Sequence, residues 1–403
     1  MKYRITSLAL SLIGSASAYT LHEWGTFTSV SGSDGQLLSG LDREEEKLPP
    51  FIEALDGMQN IGPSAFGYKG YSLLRPLRNV TIKMETPVIY FYSDQAFDAK
   101  VEIGFQGGAI SQWYPSRSSG ETPPAIAQKK TTIITDPEKL FIAQGGIDFA
   151  TQRQGSIAWD LKVLAPDASR GLTFKPGETL NWLRPKNPKA NILKVGEQYE
   201  DYLFYRGVGN FDLPVTFRVD ASETLHLENT GDETIPFLFV QEVTPEGIRF
   251  FTMHDGLAQE KTKSIAEADF TTPGKNWQRP VYEAMEKGLL ASGLTPEETH
   301  GMIQTWWHSY FQAPGLRVFW IVPEKKTNAI LPLTVTPAPE ETVRVLVGRS
   351  EILRPRFERI MMAHYKDRAD KEKSMNWYRL SSSRYGKAYT QLVNDKVTLT
   401  SEN

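Results

Sequence analysis

The chain has 403 residues, a formal net charge of −3 at pH 7 and no cysteine. The lack of cysteine excludes disulfide bonds, thiolate catalysis and cysteine-based zinc sites, and the slightly acidic balance argues against a nucleic-acid partner. A chain of this length can bury a large core without covalent staples, and we expect two or three domains.

The first 18 residues have the pattern of a cleavable secretory signal. Lys2 and Arg4 precede an uncharged, mainly apolar run over residues 5–14, and Ala16-Ser17-Ala18 has the small-x-small pattern of a signal peptidase site. The run is too short for a membrane anchor, which needs about 20 apolar residues. We therefore expect cleavage between Ala18 and Tyr19, a periplasmic or secreted location, and no integral membrane segment in the mature chain.

Residues 19–175 are predicted to form an N-terminal β-rich domain. They contain segments rich in β-branched and aromatic residues, separated by positions that favour turns. The predicted strands cover residues 21–30, 80–92, 100–105, 109–114 and 157–164.

Residues 176–353 are predicted to form a second β-rich domain that begins with a proline-punctuated connection. Short strand patterns alternate with turn sequences, which is typical of a sandwich or barrel. The predicted strands cover residues 215–219, 223–228, 236–243, 247–253, 316–322, 330–335 and 343–347.

A helical hairpin at about residues 279–313 interrupts the second domain. Thr295-Pro296-Glu297-Glu298 is a capping box, with Thr295 as the N-cap and Glu298 at the third helical position. Pro314-Gly315 predicts the end of the second helix. DNA binding is a poor interpretation of this hairpin, because the chain carries an export signal and the second helix contains no Lys or Arg.

The C-terminal region, residues 354–403, is predicted to contain a basic amphipathic helix from Pro355 and then a weakly ordered tail from residue 374. Between Arg354 and Lys387 there are ten Lys or Arg residues and four Asp or Glu residues. A solvated helix face explains this excess, and contact with an anionic envelope polymer or lipid headgroup is the alternative. The fold class predicted overall is mainly β within an α+β protein, with two sandwich-like regions.

The candidate catalytic residues are His22, Glu23 and Glu85. His22 and Glu23 belong to the unusual segment His22-Glu23-Trp24, where either side chain could act as an acid or base. Neighbouring strand residues point to opposite faces, so a regular strand would separate the two. The alternative, which we favour, is an N-terminal strand anchored in its sheet by Trp24.

The sequence predicts no metal site and no cofactor. None of its six histidines forms an HExxH or His-x-His pair. His300 and His308 belong to one predicted helix but stand about 12 Å apart along its axis, too far to bind one ion. No nucleotide-binding loop or serine-nucleophile elbow occurs in the mature chain.

The candidate binding residues are Trp113, Tyr114, Trp182 and Arg206. The three aromatic residues lie near predicted turns, where exposed rings could stack on sugars, although most tryptophans in a chain of this size anchor the core. Arg206 precedes two glycines in a loop pattern that could hold an anion. A structural salt bridge at a bulged strand entry is the alternative for Arg206.

Several segments together resemble a family of exported bacterial proteins of uncharacterised function. They are Leu21-His22-Glu23-Trp24-Gly25-Thr26-Phe27-Thr28, the run from Met84 to Tyr92, Tyr205-Arg206-Gly207-Val208-Gly209, and Gly315-Leu316-Arg317-Val318 after the hairpin. The likeness spans most of the mature chain. It implies a bacterial, extracytoplasmic protein and carries no catalytic role to any residue.

These features predict an exported bacterial cell-envelope protein that binds a glycan or an envelope protein. The alternative is a hydrolase that acts on an envelope polymer or polysaccharide, and a structural assembly component is a third interpretation. An enzyme requires two carboxylates, or a histidine and a carboxylate, at a cleft, whereas a binding module requires exposed aromatic rings along a groove. The oligomeric state cannot be read from the sequence.

Overall fold

A computed structural model describes residues 18–43, 48–49, 51–55, 69, 75–126, 134–151, 153–171 and 189–401. Over these residues the protein is a mixed α+β fold in which strands predominate over helices, which confirms the predicted fold class. The strands form where β-branched and aromatic residues are concentrated, as expected for residues that pack well on a pleated surface.

The strands, in chain order, are β1 (Tyr19–Ser31), β2 (Glu53–Ala54), β3 (Leu77–Arg78), β4 (Ile82–Met84), β5 (Val88–Ser93), β6 (Phe97–Gln106), β7 (Gly108–Tyr114), β8 (Ser119–Gly120), β9 (Ile147–Asp148), β10 (Gln154–Val163), β11 (Leu193–Val195), β12 (Gln198–Glu200), β13 (Leu203–Gly209), β14 (Val215–Val219), β15 (Leu225–Asn229), β16 (Leu238–Thr244), β17 (Gly247–Met253), β18 (Thr262–Ile265), β19 (Gly315–Ile321), β20 (Leu333–Thr336) and β21 (Glu341–Ile352). The helices are α1 (Pro137–Ala143), α2 (Gln278–Ala291), α3 (Pro296–Phe311), α4 (Glu324–Ile330), α5 (Pro355–Lys366), α6 (Ser374–Ser381) and α7 (Gly386–Ser401).

The largest sheet has ten strands in the order β17-β16-β19-β21-β1-β4-β13-β7-β2, with β5 paired to both β1 and β13. A second sheet has the order β12-β11-β10-β6-β20, and β8 adds to its strand β10. Strands from residues 19–175 and from residues 176–353 lie side by side in both sheets. Two smaller sheets, β14-β15-β18 and β3-β9, complete the β structure of the described residues.

Strand β1 lies near the centre of the ten-stranded sheet and pairs in parallel with β21 over twelve residues. Its side chains alternate between the two faces of the sheet. A hydrophobic core covers each of these faces. Leu21 and Phe27 belong to the core on one face, and Trp24 belongs to the core beneath α2 and α3 on the other face. Trp24 is fully buried, so the strand is anchored in its sheet as the sequence analysis favours.

The helical hairpin forms as predicted from its capping signals. The Thr295 side chain accepts a hydrogen bond from the backbone N–H of Glu298, and the Glu298 side chain accepts one from the N–H of Thr295. Helices α2 and α3 pack their apolar sides on the ten-stranded sheet. This position brings the N-terminus of α3 close to β1.

The predicted weakly ordered tail is instead helical, in α6 and α7. These helices pack with α5 against the end of the ten-stranded sheet, and Tyr385, Ala388 and Leu392 join the large core. The prediction was wrong because the apolar residues of this segment are sparse, and the sheet supplies the surface that they need. No helix among the described residues is long and apolar enough to cross a membrane.

Candidate functional site

A cavity of about 760 Å³ lies where strands β16, β19 and β21 meet the helices α5, α6 and α7. Its strand side is the C-terminal end of β16, the N-terminal end of β19 and the C-terminal end of β21. Its helical side comes from the start of α5, the end of α6 and the start of α7. The lining is Glu242, Val243, Thr244, Pro245, Glu246, Ala313, Pro314, Gly315, Leu316, Glu351, Ile352, Leu353, Arg354, Arg356, Phe357, Leu380, Ser383, Arg384, Tyr385 and Tyr389.

Most of this lining is aliphatic or aromatic, and its charged groups are three arginines and three glutamates. Ligand sites for small molecules are typically apolar cavities of roughly 300–1,000 Å³ with a few placed polar groups. The volume and the lining of this cavity both fall within that description. It is therefore the candidate binding site of the described structure.

The first charged group at the cavity is the buried carboxylate of Glu242. Nε of Arg354 donates to it over 2.7 Å, Nη2 of Arg249 over 2.7 Å and Nη2 of Arg356 over 3.2 Å. Glu223 and Glu267 pair with the same arginines nearer to the surface. The charge of Glu242 is thus matched by direct hydrogen bonds from guanidinium groups.

The second charged group is the buried carboxylate of Glu351. Nε of Arg317 donates to it over 3.0 Å and Nη2 of Arg349 over 2.5 Å, and Nη2 of Arg384 lies 3.5 Å away. Burial raises the pKa of Glu351, but the three guanidinium groups outweigh burial and hold the pKa at about 2, below its usual 4.5. The Glu351 carboxylate is therefore ionised at neutral pH.

Two of the lining arginines keep part of their side chains open to solvent. Arg356 is 54% exposed and Arg384 is 27% exposed. Beside them, burial raises the pKa of the Tyr389 hydroxyl, so this tyrosine stays neutral at neutral pH. The cavity thus combines an apolar interior with accessible guanidinium groups at its wall.

The predicted catalytic residue His22 lies away from this cavity, beneath the hairpin. Its Nδ1 lies 2.9 Å from Oε2 of Glu298, and the Tyr92 hydroxyl donates to Oε1 of the same carboxylate over 2.8 Å. The capping box holds Glu298 at the start of α3, so these contacts join the hairpin to strands β1 and β5. The histidine Nε2 makes no hydrogen bond with the residues that the structure describes.

Glu23 points to the face of β1 opposite to that of His22, as strand alternation predicts. His22 and Glu23 therefore do not share a site. It accepts hydrogen bonds from the Tyr205 hydroxyl over 2.5 Å and from Nε of Arg344 over 2.6 Å. Arg344 also donates to the side-chain oxygen of Asn328. This buried network joins β1 to β13 and β21 and does not line the cavity. It also does not line a second, smaller cavity of about 270 Å³, which is formed by Asp212, Leu213, Pro214, Thr230, Gly231, Asp232, Glu233, Pro323 and Lys326.

Glu85 is also buried and lies outside both described cavities. Nζ of Lys69 lies 2.5 Å from its Oε2, and Nζ of Lys83 lies 3.3 Å from its Oε1. Two buried cations on one carboxylate form a structural ion cluster. The geometry therefore does not bring His22, Glu23 and Glu85 together.

The predicted binding residues are less exposed than expected. Trp113 is only 4% exposed and its Nε1 donates to Glu53, so the expectation of an exposed Trp113 ring is wrong. The reason is that the ring belongs to the large core and the Arg117 guanidinium lies over it, 3.9 Å from the ring centroid. Tyr114 is half-buried and packs on Phe51 at a centroid distance of 4.7 Å, and Trp182 lies outside the described residues.

Arg206 was predicted in a loop that could hold an anion, but it lies inside strand β13 and is buried. Its Nε donates to the side-chain oxygen of Gln112 over 2.6 Å. The ladder between β13 and β7 shifts register between Arg206 and Gly207. This irregularity agrees with the bulged strand alternative. A Cβ on Gly207 would lie 2.0 Å from the carbonyl oxygen of Ala109, so the bulge needs a glycine there.

A second arrangement that the sequence did not reveal lies on the small sheet β14-β15-β18. Nδ1 of His226 lies 2.9 Å from Oγ of Ser264, and Nε2 lies 2.8 Å from Oδ2 of Asp220. Asp220 also accepts hydrogen bonds from Ser222 and Thr224, which order its turn. The three side chains lie outside both described cavities, and this network is a structural one at the surface.

The described residues contain no group of three or more His, Cys, Asp or Glu residues that could hold a metal ion. Comparison with known protein families finds no matching family model, and comparison with curated proteins finds no significant match.

Proposed function

We propose that this protein is an exported binding protein whose ligand is an amphipathic anion held in the cavity between the ten-stranded sheet and helices α5 to α7. The observation that carries the proposal is the arginine-bearing wall of a mainly apolar cavity of about 760 Å³. The apolar part of the ligand would contact Leu316, Phe357 and Leu380, and its anionic head would contact Arg356 and Arg384.

The chemistry of the wall supports an anion rather than a cation. A guanidinium group offers five N–H donors in a planar fork that suits carboxylate, sulfate and phosphate heads. Glu242 and Glu351, the two buried acids of the lining, already accept hydrogen bonds from arginines. A cationic head would have to compete with those arginines for both buried carboxylates, and the third glutamate of the lining, Glu246, is exposed and accepts a hydrogen bond from the Thr244 side chain.

Two observations favour binding over the hydrolase that the sequence left open. His22, Glu23 and Glu85 line neither described cavity, so the predicted catalytic residues face no described cleft. The cavity contains no histidine, and its two buried carboxylates are held by arginines rather than left to act on a substrate. We propose an amphipathic anion in place of a glycan stacked on Trp113, because that ring is buried.

The export signal supports an extracytoplasmic setting for this binding. The apolar run over residues 5–14 and the Ala16-Ser17-Ala18 pattern predict cleavage before Tyr19. Strand β1 begins at Tyr19, so cleavage there would leave the whole strand in the mature protein.

Isothermal titration calorimetry with sodium dodecanoate and dodecyltrimethylammonium tests the proposal, because the two probes share a tail and differ in head charge. We expect saturable binding of dodecanoate at one site and much weaker binding of the cation. Arg384→Gln should weaken dodecanoate binding by roughly tenfold or more, since it removes charge-assisted hydrogen bonds.

Arg279→Gln is the matched control, because Arg279 lies on α2 outside the cavity and is mostly exposed. Its affinity for dodecanoate should equal that of the wild type. Equal binding of both probes, or no binding of dodecanoate, would contradict the proposal.

A further inference from the structure

A short segment after strand β1, residues 39–43, contacts the turn between helices α6 and α7. This turn covers residues 382–385 and carries Arg384, which lines the cavity together with its two neighbours. Residues 39–43 do not line the cavity themselves. Their contacts can therefore affect a ligand only through the helical wall that they touch.

The segment is fixed to the strand side of the molecule. The backbone N–H groups of Gly40 and Leu41 both donate to the carbonyl oxygen of Val80, over 2.8 Å and 3.1 Å. Val80 lies two residues before strand β4 of the ten-stranded sheet. The side chains of Leu38 and Leu41 are buried in the large core. The segment thus offers the helices a support that belongs to the sheet.

Two side chains of α7 contact this support. Lys387 and Gln391 stand four residues apart and therefore share one face of the helix. Nζ of Lys387 lies 2.5 Å from Oδ2 of the buried Asp42. Oε1 of Gln391 accepts hydrogen bonds from the backbone N–H of Ser39 over 2.8 Å and from its hydroxyl over 2.7 Å. Gly40 permits this close approach, because its φ is +97° and a Cβ there would lie 2.6 Å from Cβ of Lys387.

Arg43 contacts the end of α6. Its Nη1 donates to the carbonyl oxygen of Ser383 over 3.1 Å and lies 3.5 Å from that of Ser381. The last carbonyl groups of a helix have no partner within the helix, and the helix dipole favours a cation beside them. Ser383 directly precedes Arg384 in the chain. Arg43 thus holds the backbone from which the Arg384 side chain extends.

We propose that Arg43 is a positioning residue of the candidate site, because it holds the turn between α6 and α7 where Arg384 reaches the anionic head of the ligand. The inference rests on the proposed function, since Arg43 acts on the ligand through Arg384. The contacts of Asp42 and Ser39 with α7 fix the other side of the same turn.

A double-mutant cycle measured by calorimetry with sodium dodecanoate tests this role. Arg43→Met keeps most of the side-chain stem and removes its donors, so it should weaken binding about fivefold or more. The same substitution should have little effect when Arg384 is replaced by Gln, because the group that it positions is then absent. Arg43→Lys should restore part of the affinity, since it keeps a cationic donor at the end of α6.

Hydrogen–deuterium exchange without ligand gives a second readout. We expect faster exchange of the backbone amides of residues 382–386 in Arg43→Met than in the wild type. Arg279→Met is the matched control, because Arg279 is 87% exposed on α2 and lies outside the cavity. It should leave both the affinity for dodecanoate and the exchange of the turn unchanged.

An equal loss of affinity in both backgrounds would overturn the proposal, because a general effect on the fold would not depend on Arg384. Unchanged affinity or unchanged exchange in Arg43→Met would also overturn it. If the wild type binds no dodecanoate, the proposed function fails and this inference fails with it. If the wild type binds and Arg43→Met binds equally well, the inference alone is wrong.

Discussion

The buried networks around Glu23 and Glu351 use the same chemistry in two different settings. In each, a carboxylate accepts hydrogen bonds from guanidinium groups of the central strands. Glu23 is enclosed by Arg344 and Tyr205 and faces neither described cavity, whereas Glu351 lines the cavity beside the partly exposed Arg384. Buried charge alone therefore does not distinguish the proposed binding site from the rest of the fold; buried charge at the wall of a cavity does.

This contrast also separates the energetic roles of the two networks. Burying an ion pair costs much of what the pairing gains, so such a pair adds little net stability, but the loss of one partner leaves an uncompensated charge. Around Glu23, the loss of a partner would lower the free energy of unfolding and would affect neither described cavity. At the cavity, partial exposure of Arg356 and Arg384 lets solvent or a ligand compensate for a lost partner.

The largest expected effect comes from Glu23→Ala, which leaves the Arg344 guanidinium and the Tyr205 hydroxyl buried without their acceptor. We expect a loss of about 3–5 kcal/mol in the free energy of unfolding. Urea unfolding followed by tryptophan fluorescence measures it. Glu341→Ala, at an exposed position of β21, is the control and should change this free energy by less than about 0.5 kcal/mol. A loss below about 1 kcal/mol for Glu23→Ala would show that water or another group replaces Glu23 as the acceptor for Arg344 and Tyr205.

An intermediate effect is expected from pH on the cavity side. Because the pKa of Glu351 is lowered from 4.5 to about 2 in the folded protein, its ionised form stabilises the fold above pH 4.5. This stabilisation is lost as the pH falls from 4.5 towards 2 and amounts to roughly 3 kcal/mol.

Urea unfolding at a series of pH values tests this dependence. Glu351→Gln should be less stable at pH 7 and should have a flatter slope between pH 4.5 and 2 than the wild type. The same slope in both proteins would mean that Glu351 is not the group that titrates in this range.

The smallest effect on stability is expected from Arg356→Gln. The Arg356 side chain is 54% exposed, and Glu242 keeps Arg354 and Arg249 as partners. Exposed ion pairs contribute about 0–1 kcal/mol, so the melting temperature should change little while the affinity for dodecanoate falls. A large loss of stability with unchanged affinity for dodecanoate would mean that Arg356, like Glu23, stabilises the fold and does not bind the ligand.

The sequence predicts the local structure well where a pattern has its own physical cause. The capping box at Thr295 and the period of the apolar residues predict the hairpin, and alternation along β1 predicts that His22 and Glu23 face opposite sides. Helices α6 and α7 could not be predicted with the same success, since their stability comes from packing on the sheet rather than from their own periodicity.

The candidate site could not be predicted from the sequence. Glu242, Glu351 and Arg384 are far apart in the chain and converge only because β16, β19 and β21 are neighbours. A charged residue within a strand pattern reads as a solvent-facing position, so nothing local marks Glu351 as buried. Trp113 shows the opposite error: its place near a predicted turn suggested an exposed ring, but the ring is buried in the large core, which forms from residues distant in the chain.

A crystal of the protein grown with 12-bromododecanoate tests whether the cavity holds an amphipathic anion, because the anomalous signal of bromine locates the tail without prior assumptions. We expect a bromine peak among Leu316, Phe357 and Leu380, with the carboxylate at Arg356 or Arg384. A bromine peak outside the cavity, or an empty cavity in a crystal that contains the probe at saturating concentration, would contradict it.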